Sequence, residues 1–328
     1  MKILIIKPSS FGDIVQANPT LVALKKAYPN AACTWLVFDK WADILSLFPD
    51  VAKTIVWNRE GGLKEYARVL KAIRSEKFDL AVDLQGLART AFLTAFSKAR
   101  TRIGVPGMKE FSWLLVKEVF PESKTLNAAL RSLETVRFLT GIPGEPAFNV
   151  IVSSAQYYKA KETLLGDGIK STDKLIGIVP FARGKAKEWP LGHYKELIET
   201  ALSSSKDLKV LVFGDNKTQR NAFMEHSRII NLSGRTSLSD LGAYMRLCRV
   251  IIGGDTGPVH LASSLGIPVV TIFGGSDVGE TAPIARNAKI LKKEFDCSPC
   301  RSRPACKDFP CLKAITPKEV HEAMARYL

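Results

Sequence analysis

The stretch 249–274 constrains the fold of this chain more than any other. Its two apolar runs, 250–252 and Val269–Phe273, are β-branched and lack polar alternation, which is typical of strands buried on both faces of a parallel sheet. Between them, Thr256 is suited to cap a short helix and Gly266 to end it. A helix that begins at the carboxyl end of a buried parallel strand presents unpaired backbone N–H groups, so this stretch predicts a phosphate-binding site.

Asp255 and His260 flank the start of that predicted helix. The carboxylate of Asp255 is suited to accept hydrogen bonds from a polyhydroxylated ligand, because ligands of such sheets bind beyond the carboxyl ends of the strands. His260 falls within the first turn or so, where it either joins the site or only packs and caps. A tight turn of an α/β domain without a ligand is the alternative interpretation of the whole stretch.

Strand-like and helix-like segments alternate along the whole chain. Strands are predicted at 2–7, 34–38, 53–57, 80–84 and 102–105, and again at 175–179, 209–213, 229–232, 250–252, 269–273 and 289–291. Helices are predicted between them, among them 41–48, 216–226 and 316–326. This order predicts an α/β protein with two Rossmann-like domains, each a doubly wound parallel sheet.

The domain boundary is predicted where the alternation is interrupted. Two prolines and a glycine break the pattern at 142–146, and one further helix then ends at Gly166 and Gly168. We therefore predict a first domain over 1–168 and a second over 169–328. The final helix, 316–328, is one that can pack back on the first domain.

The net charge of +15 indicates either an anionic partner or a basic solvated surface. The segment 84–109 has no acidic residue and contains five basic ones: Arg89, Lys98, Arg100, Arg102 and Lys109. Such a segment suits a phosphorylated or carboxylated substrate or an anionic membrane surface. The basic residues are not interleaved with aromatic side chains, which disfavours nucleic acid as the partner.

The chain shows no run of about 18 apolar residues and no secretory signal, so we expect a cytoplasmic protein without a transmembrane helix. This compartment bears on the cysteines, because it disfavours structural disulfides. Four of the six cysteines lie within fifteen positions, at Cys297, Cys300, Cys306 and Cys311. They predict either a tetrahedral zinc site, although the middle gap is shorter than a zinc ribbon needs, or thiols without a metal.

Two further loops carry candidate chemistry. Asp13 follows the first predicted strand, where a partly desolvated carboxylate can act as a general base, or can instead only cap a turn. The loop 180–190 follows the first strand of the second domain and holds Arg183 and Lys187 where they can reach a diphosphate. It lacks the order of a P-loop, and neither domain has G-x-G-x-x-G after its first strand, which disfavours nucleoside triphosphatases and nicotinamide enzymes.

Together these segments resemble glycosyltransferase family 9, the lipopolysaccharide heptosyltransferases. The resemblance covers nearly the whole chain and rests on 7–13, 83–86, 187–190, 255–260 and the cysteine-rich loop before the last helix. It implies the GT-B architecture, with two Rossmann-like domains facing an interdomain cleft, and is nearest to the heptosyltransferase I type. It also implies inverting transfer of heptose from ADP-L-glycero-D-manno-heptose, without a metal or other cofactor, to the anionic Kdo-containing inner core of lipopolysaccharide at the cytoplasmic face of the inner membrane.

The resemblance also implies roles for individual residues. Asp13 is the expected base, Lys187 the ligand of the donor diphosphate, and Asp255 a contact of the heptose. Thr256 and Gly257 are expected to hold phosphate through backbone N–H groups, and we add His260, Arg183 and Asp215 to the donor site. Asp215 substitutes for an acidic family residue near the nucleoside that has no clear equivalent here. We assign the acceptor to Arg59, Lys64, Arg68, Arg89, Arg100 and Arg102.

One alternative from another class stays open. Other GT-B-like enzymes of nucleotide sugars, with a different donor or with epimerase activity, share the architecture. An epimerase needs additional acid and base groups, and the sequence offers no convincing set.

Overall fold

The computed structural model describes residues 1–121, 127–215, 223, 226–300 and 306–328. The chain divides into two compact units, Met1–Ile151 and Val152–Leu328. Each unit contains one six-stranded parallel sheet with helices packed against it. The predicted fold class, an α/β protein built from two doubly wound parallel sheets, is confirmed.

The sheet of the first unit has the strand order β3-β2-β1-β4-β5-β6. Its strands are β1 (Lys2–Ile6), β2 (Ala32–Phe38), β3 (Val51–Trp57), β4 (Leu80–Asp83), β5 (Thr101–Gly104) and β6 (Lys117–Glu118). Its helices are α1 (Phe11–Gln16), α2 (Asn18–Ala27), α3 (Gly62–Ser75), α4 (Ala88–Ala95) and α5 (Ala128–Thr140), with 3₁₀ helices at Asp39–Leu47 and Ser112–Leu114. The strand order reverses between β1 and β4, which is where ligands of such sheets bind.

The second unit has the order β12-β11-β10-β7-β8-β9. Its strands are β7 (Lys174–Val179), β8 (Leu208–Val212), β9 (Ile229–Asn231), β10 (Val250–Gly254), β11 (Val269–Phe273) and β12 (Ala288–Lys292). Its helices are α6 (Ser154–Gly166), α7 (Leu191–Ser204), α8 (Leu238–Met245), α9 (Gly257–Ser264), α10 (Val278–Thr281), α11 (Pro310–Lys313) and α12 (Pro317–Ala325), and Lys185–Lys187 is a 3₁₀ turn. Every residue of β10 and β11 is buried, as their uninterrupted apolar character predicts.

The observed division of the chain falls earlier than the predicted boundary at residue 168. Helix α6 belongs to the second unit, where it packs against α8 and buries Ala160 and Leu164. Helix α12 packs against α7 in the same unit, and its Val320 and Met324 join the core of that unit. The prolines at 142–146, rather than the glycines at 166 and 168, therefore mark the approach to the boundary.

Several local predictions differ from the structure. Residues 11–13, predicted as part of the loop 8–13, form the first turn of α1, because Ser10 and Asp13 make a reciprocal capping box at its start. The predicted helix 41–48 is a 3₁₀ helix, and the predicted helix 216–226 lies largely outside the described residues. Among the residues that the structure describes, no helix has the length and apolar character needed to cross a membrane.

Candidate active site

Asp255 is the centre of a polar cluster in the second unit, directly after β10. Lys187 Nζ donates a hydrogen bond of 2.6 Å to Asp255 Oδ2, and Thr281 Oγ1 donates one of 3.1 Å to the same oxygen. His260 Nε2 lies 3.1 Å from Asp255 Oδ1. The structure thus brings together Lys187, Asp255 and His260, all predicted for the donor site, and adds Thr281, which the sequence analysis missed.

The carboxylate of Asp255 stays ionised although it is buried. Its side chain is only 4% exposed, and burial alone would raise its pKa. The hydrogen bond and charge of His260, with the charge and hydrogen bond of Lys187, outweigh burial and hold the pKa of Asp255 below its usual range. Asp255 is therefore a fixed negative group that orients a lysine and a histidine.

Helix α9 begins beside this cluster, and two buried hydroxyl groups that follow β10 and β11 lack hydrogen-bond partners among the described residues. Thr256 occupies the cap position as predicted, but its side chain accepts no hydrogen bond from the helix. Its buried Oγ1 has no hydrogen-bond partner within the described part of the chain, and the same holds for Ser276 Oγ on the loop after β11. A buried hydroxyl without a partner costs about 1–3 kcal/mol, so an anion that accepts hydrogen bonds at the start of α9 would be stabilised.

The 3₁₀ turn that carries Lys187 is pressed against the ends of β10 and β11. A Cβ on Gly254 would clash with the Lys187 carbonyl oxygen, and one on Gly274 would lie 2.7 Å from the Ala186 carbonyl oxygen. On the other side of the turn, Trp189 is buried and its Nε1 donates to the Ile315 carbonyl at 2.8 Å. Lys187 is therefore held from both sides, and Trp189 is one of its anchors.

Replacing Gly254 by Ala is expected to lower the free energy of unfolding by about 1–3 kcal/mol, because the added methyl group overpacks a backbone contact. It should also displace Lys187 from Asp255 and weaken the binding of the diphosphate ligand that the sequence predicts for this lysine. Thermal unfolding and calorimetry with ADP measure the two effects. Gly192→Ala is the matched control, since a Cβ at Gly192 meets no atom within 4 Å. Equal behaviour of the two variants would contradict the packing argument.

Asp13 lies in the first unit, in the first turn of α1 after the carboxyl end of β1. Its Oδ2 accepts a hydrogen bond of 2.9 Å from Ser10 N and one of 2.6 Å from Ser10 Oγ. The carboxylate therefore caps α1, which was one predicted role. This cap fixes the carboxylate at the point where the strand order reverses, so the position also suits the predicted base.

Two ionisable groups that sequence analysis did not assign lie beside Asp13. Lys7 Nζ donates to the Leu84 carbonyl at 2.9 Å. Burial lowers the pKa of Lys7, although the negative charges of Asp13 and Asp83 act in the opposite direction. Burial also raises the pKa of Asp83 to about 6, although Gly86 N and Gln85 N donate to its Oδ1. Perturbed groups gathered at a switch point are typical of an active site.

We expect Asp83 to make stability fall as the pH rises from about 4 to about 6. The folded state holds the Asp83 proton more tightly than the unfolded chain does, so Asp83 adds to the free energy of unfolding at low pH. This contribution is complete below the unfolded pKa and is lost as the pH rises through the folded pKa. It amounts to about 3 kcal/mol. Asp83→Asn cannot titrate and should lack this loss. Urea unfolding of both proteins across this range tests it, and parallel pH profiles would contradict the shift.

The comparisons with known proteins identify the family. The model of glycosyltransferase family 9 (heptosyltransferase) matches residues 66–308. The chain belongs to glycosyltransferase family 9. The match spans α3 to the cysteine-rich segment and includes both the Asp83 region and the Lys187–Asp255 cluster, whereas Asp13 lies before it.

Relatives of this family 9 glycosyltransferase include heptosyltransferases of both types. It is 28% identical to lipooligosaccharide heptosyltransferase 2 of Haemophilus ducreyi, over 89% of this chain and 88% of that protein. It is 24% identical to lipopolysaccharide heptosyltransferase 1 of Pseudomonas aeruginosa, over 92% and 86%. The structure of Escherichia coli heptosyltransferase II has a similar fold, with a TM-score of 0.84 at 23% identity over 100% of this chain and 98% of that chain. These identities do not favour the heptosyltransferase I type over the second type.

Two of the basic residues predicted for the acceptor of this family 9 enzyme lie together. The guanidinium carbons of Arg59 and Arg89 lie 5.8 and 5.4 Å from the centroid of the Phe38 ring, at the carboxyl end of β2. Arg89 Nε is buried and has no hydrogen-bond partner among the described residues. Lys64 is exposed at the start of α3. Arg59 and Arg89 therefore form a basic pair at the sheet edge that also bears Asp13.

The other predicted acceptor residues are placed differently. Arg68 is held by Glu65 through bonds of 2.7 and 2.6 Å. Arg100 precedes β5 and lies 3.8 Å from Asp79, which precedes β4, so it is at the opposite, amino edge of the parallel sheet. Arg102 bonds the Ala95 carbonyl at 3.0 Å, at the end of α4. Sequence proximity to Arg89 was misleading, because the helix between them carries the chain from one sheet edge to the other.

The other residues predicted for the donor site or for a metal site in the second unit are not part of the Asp255 cluster. Arg183 is exposed on the loop after β7, and Asp215 follows β8. All six cysteines are thiols and not disulfides. Within the described residues, no group of three His, Cys, Asp or Glu side chains is arranged to hold a metal ion. The zinc site at Cys297, Cys300, Cys306 and Cys311 stays a prediction.

Proposed function

We propose that this glycosyltransferase transfers heptose from ADP-heptose to a Kdo sugar of the lipopolysaccharide inner core, with inversion and without a metal. The observation that carries the donor assignment is the cluster of Lys187, Asp255 and His260 at the start of α9. The names of its relatives support heptose and lipopolysaccharide as donor sugar and acceptor class.

Departure of ADP is the step that needs positive charge. Negative charge grows on the diphosphate as the glycosidic bond breaks, and fixed donors aimed at that charge stabilise the transition state. Lys187 supplies an ammonium group that Asp255 and the Gly254 contact hold in place, and Thr256 and Gly257 supply N–H groups at the start of α9. These groups can do without a metal ion what a bound cation does in other transferases.

Inversion requires the acceptor hydroxyl to attack from the face opposite the diphosphate. The base and the diphosphate ligand are therefore different residues, and we assign Asp13 as the base. Its Oδ2 is held by Ser10, so the carboxylate is oriented before the acceptor arrives. The hydroxyl proton passes to Asp13 as the new glycosidic bond forms and the bond to the diphosphate breaks.

The first test is transfer from ADP-heptose to Kdo2-lipid A by the purified protein, with and without a chelator. Undiminished transfer in the chelator supports the proposal as a whole, and NMR of the product gives the configuration of the new bond. Loss of transfer that added divalent cation restores would overturn metal independence alone. Binding of ADP without transfer would overturn the acceptor or the donor sugar.

The basic pair Arg59 and Arg89 is proposed to bind the anionic acceptor. The double variant Arg59→Gln and Arg89→Gln is expected to raise the acceptor KM about tenfold or more with little change in the donor KM, because two charge-assisted contacts are lost. Arg100→Gln is the matched control at the opposite edge of the sheet. If the donor KM and the acceptor KM rise equally, or if Arg100→Gln raises the acceptor KM as much as the double variant does, Arg59 and Arg89 do not bind the acceptor.

We also propose that the enzyme acts in the cytoplasm, at the inner face of the inner membrane. A lipid-linked acceptor stays at the bilayer surface, and a net charge of +15 attracts the chain to anionic lipid. Fractionation of cells into membrane and soluble parts, with and without a high-salt wash, tests this association. Recovery only in the soluble part at low salt would argue against it.

A further inference from the structure

An exposed apolar turn lies in the first unit between β5 and β6. Its members, Phe111, Trp113, Leu114 and Leu115, expose 70%, 45%, 76% and 44% of their surface. The ring centroids of Phe111 and Trp113 lie 5.2 Å apart. Four large apolar side chains within five positions make a patch that marks an interaction surface more often than an ordinary solvated one.

The backbone holds this apolar turn in place. Ser112, which lies between Phe111 and Trp113, is buried, and its Oγ lies 3.2 Å from the Gly86 carbonyl oxygen and 2.5 Å from that of Lys109. Glu110 and Phe111 have φ of 57° and 56°, a region that residues other than glycine adopt only when their surroundings impose it. The four side chains are therefore presented outward by an anchored turn.

Charge around the apolar turn is arranged with the basic groups outward. Lys109 and Lys117 are exposed, and Lys117 Nζ lies 4.8 Å from the centroid of the Phe138 ring. The two carboxylates of this segment accept hydrogen bonds from backbone N–H groups, and of these two Glu110 is exposed and Glu118 is half-buried. Glu110 accepts from Ala88 N at 3.0 Å, and Glu118 accepts from Gly107 N at 2.6 Å. A partner of the turn therefore meets apolar side chains flanked by ammonium groups.

The apolar turn lies at the carboxyl edge of the sheet of the first unit. Lys109 N donates to the Gly86 carbonyl at 2.8 Å, and Gly86 follows the end of β4. Strand β4 pairs in parallel with β1, whose carboxyl end leads to Asp13. A surface that contacts the turn therefore lies along the edge that bears the proposed base.

We propose that the apolar turn inserts into the interface of an anionic phospholipid bilayer, with Lys109 and Lys117 contacting lipid phosphates. Tryptophan and phenylalanine are suited to this depth, where an apolar body meets a polar layer, and lysine stems reach from it to the headgroups. The net charge of +15 favours an anionic surface over a second copy of the chain. The purpose of this docking, delivery of a lipid-linked acceptor to Asp13, rests on the proposed function.

The test uses vesicles of equimolar phosphatidylcholine and phosphatidylglycerol, with neither donor nor acceptor present. Of the five tryptophans, Trp35, Trp57 and Trp189 are buried, Trp41 is half-buried and Trp113 is 45% exposed. Insertion of the turn should therefore appear as a blue shift of fluorescence that Trp113→Phe abolishes. Phe111→Ser with Leu114→Ser is expected to lower the partition coefficient at least about tenfold. The control Leu165→Ser changes an exposed leucine of α6 and should bind as the wild type does.

Two results would overturn the docking proposal. One is unchanged vesicle binding of the double variant. The other is concentration-dependent dimerisation that the double variant loses while the wild type shows no affinity for vesicles, which would assign the turn to a second copy. Failure of the proposed function is separable, because heptose transfer to a deacylated, water-soluble Kdo acceptor should be equal in the double variant and the wild type. Absence of that transfer in both would leave the vesicle result standing.

Discussion

Replacing Asp13 by Asn is expected to reduce kcat for heptose transfer by about 10²- to 10⁴-fold, the range that a positioned general base contributes. The affinity for ADP should stay near that of the wild type, because Asp13 is assigned no contact with the donor. An asparagine oxygen can still accept from Ser10 N and Ser10 Oγ, so the start of α1 is preserved. Steady-state kinetics with saturating donor and calorimetry with ADP measure the two quantities.

Two variants control for effects other than the loss of a base. Asp79→Asn neutralises a carboxylate of the same unit that accepts from Lys2 N at 2.8 Å, at the amino edge of the sheet, and should keep the wild-type kcat. Ser10→Ala removes one bond to Asp13 and leaves the carboxylate, so its loss of kcat should be smaller than that of Asp13→Asn. If Asp13→Asn lowers kcat by less than about tenfold, Asp13 is not the base and another group must take that role.

The fold could be predicted from sequence because its signals are local. Strands buried on both faces cannot alternate, so β10 and β11 appear as uninterrupted apolar runs, and β7, which pairs with β10, is apolar after its first residue. The loops after these strands carry Asp255 and Lys187, and a parallel sheet places the carboxyl ends of its strands on one edge. Their meeting at 2.6 Å therefore follows from topology that the sequence already indicates.

The basic residues show where such inference stops. Arg89, Arg100 and Arg102 are close in sequence, yet a helix and a strand separate them, so Arg100 lies at the amino edge of the sheet. Arg68 looked equally suitable, but Glu65 three residues earlier occupies its guanidinium. Which edge and which partner a charged side chain finds depends on packing that residue type alone does not specify.

Thr281 and Lys7 were missed for a different reason. Thr281 reaches Asp255 from α10, 26 positions away, and no spacing rule connects a threonine at the end of one helix with an aspartate that follows a distant strand. Lys7 reads as the last residue of a strand, and only the structure shows its Nζ turned to the Leu84 carbonyl near Asp83 and Asp13. A signal was present for Lys7, because 7–13 carries the family resemblance, whereas Thr281 lies outside the segments that carry it.

Replacing Lys187 by Met is expected to reduce kcat/KM for ADP-heptose by about 10²- to 10³-fold, comparable to the loss of one fixed donor to a developing negative charge. Methionine keeps much of the apolar stem and removes the ammonium group. The dissociation constant of ADP should rise, whereas the acceptor KM should stay near the wild-type value. Lys185→Met is the matched control, because Lys185 is exposed in the same 3₁₀ turn and pairs with Glu188 at 2.6 Å. Equal losses in the two variants would show that general positive charge, and not Lys187, binds the donor.

The double variant Lys187→Met with Asp255→Asn separates two parts of that loss. Lys187→Met alone leaves the buried Asp255 carboxylate without its ammonium partner, although His260 and Thr281 still contact it, and about 1–3 kcal/mol of stability should be lost. Neutralising Asp255 as well removes that penalty, so stability should recover while transfer stays low. Transfer that recovers together with stability would mean that Lys187 acts only by compensating Asp255. Because Asp255 is itself assigned a contact with the heptose, Asp255→Asn alone is the reference. Transfer that is clearly lower in the double variant than in Asp255→Asn, in a restored fold, is what a lysine that binds the diphosphate directly requires.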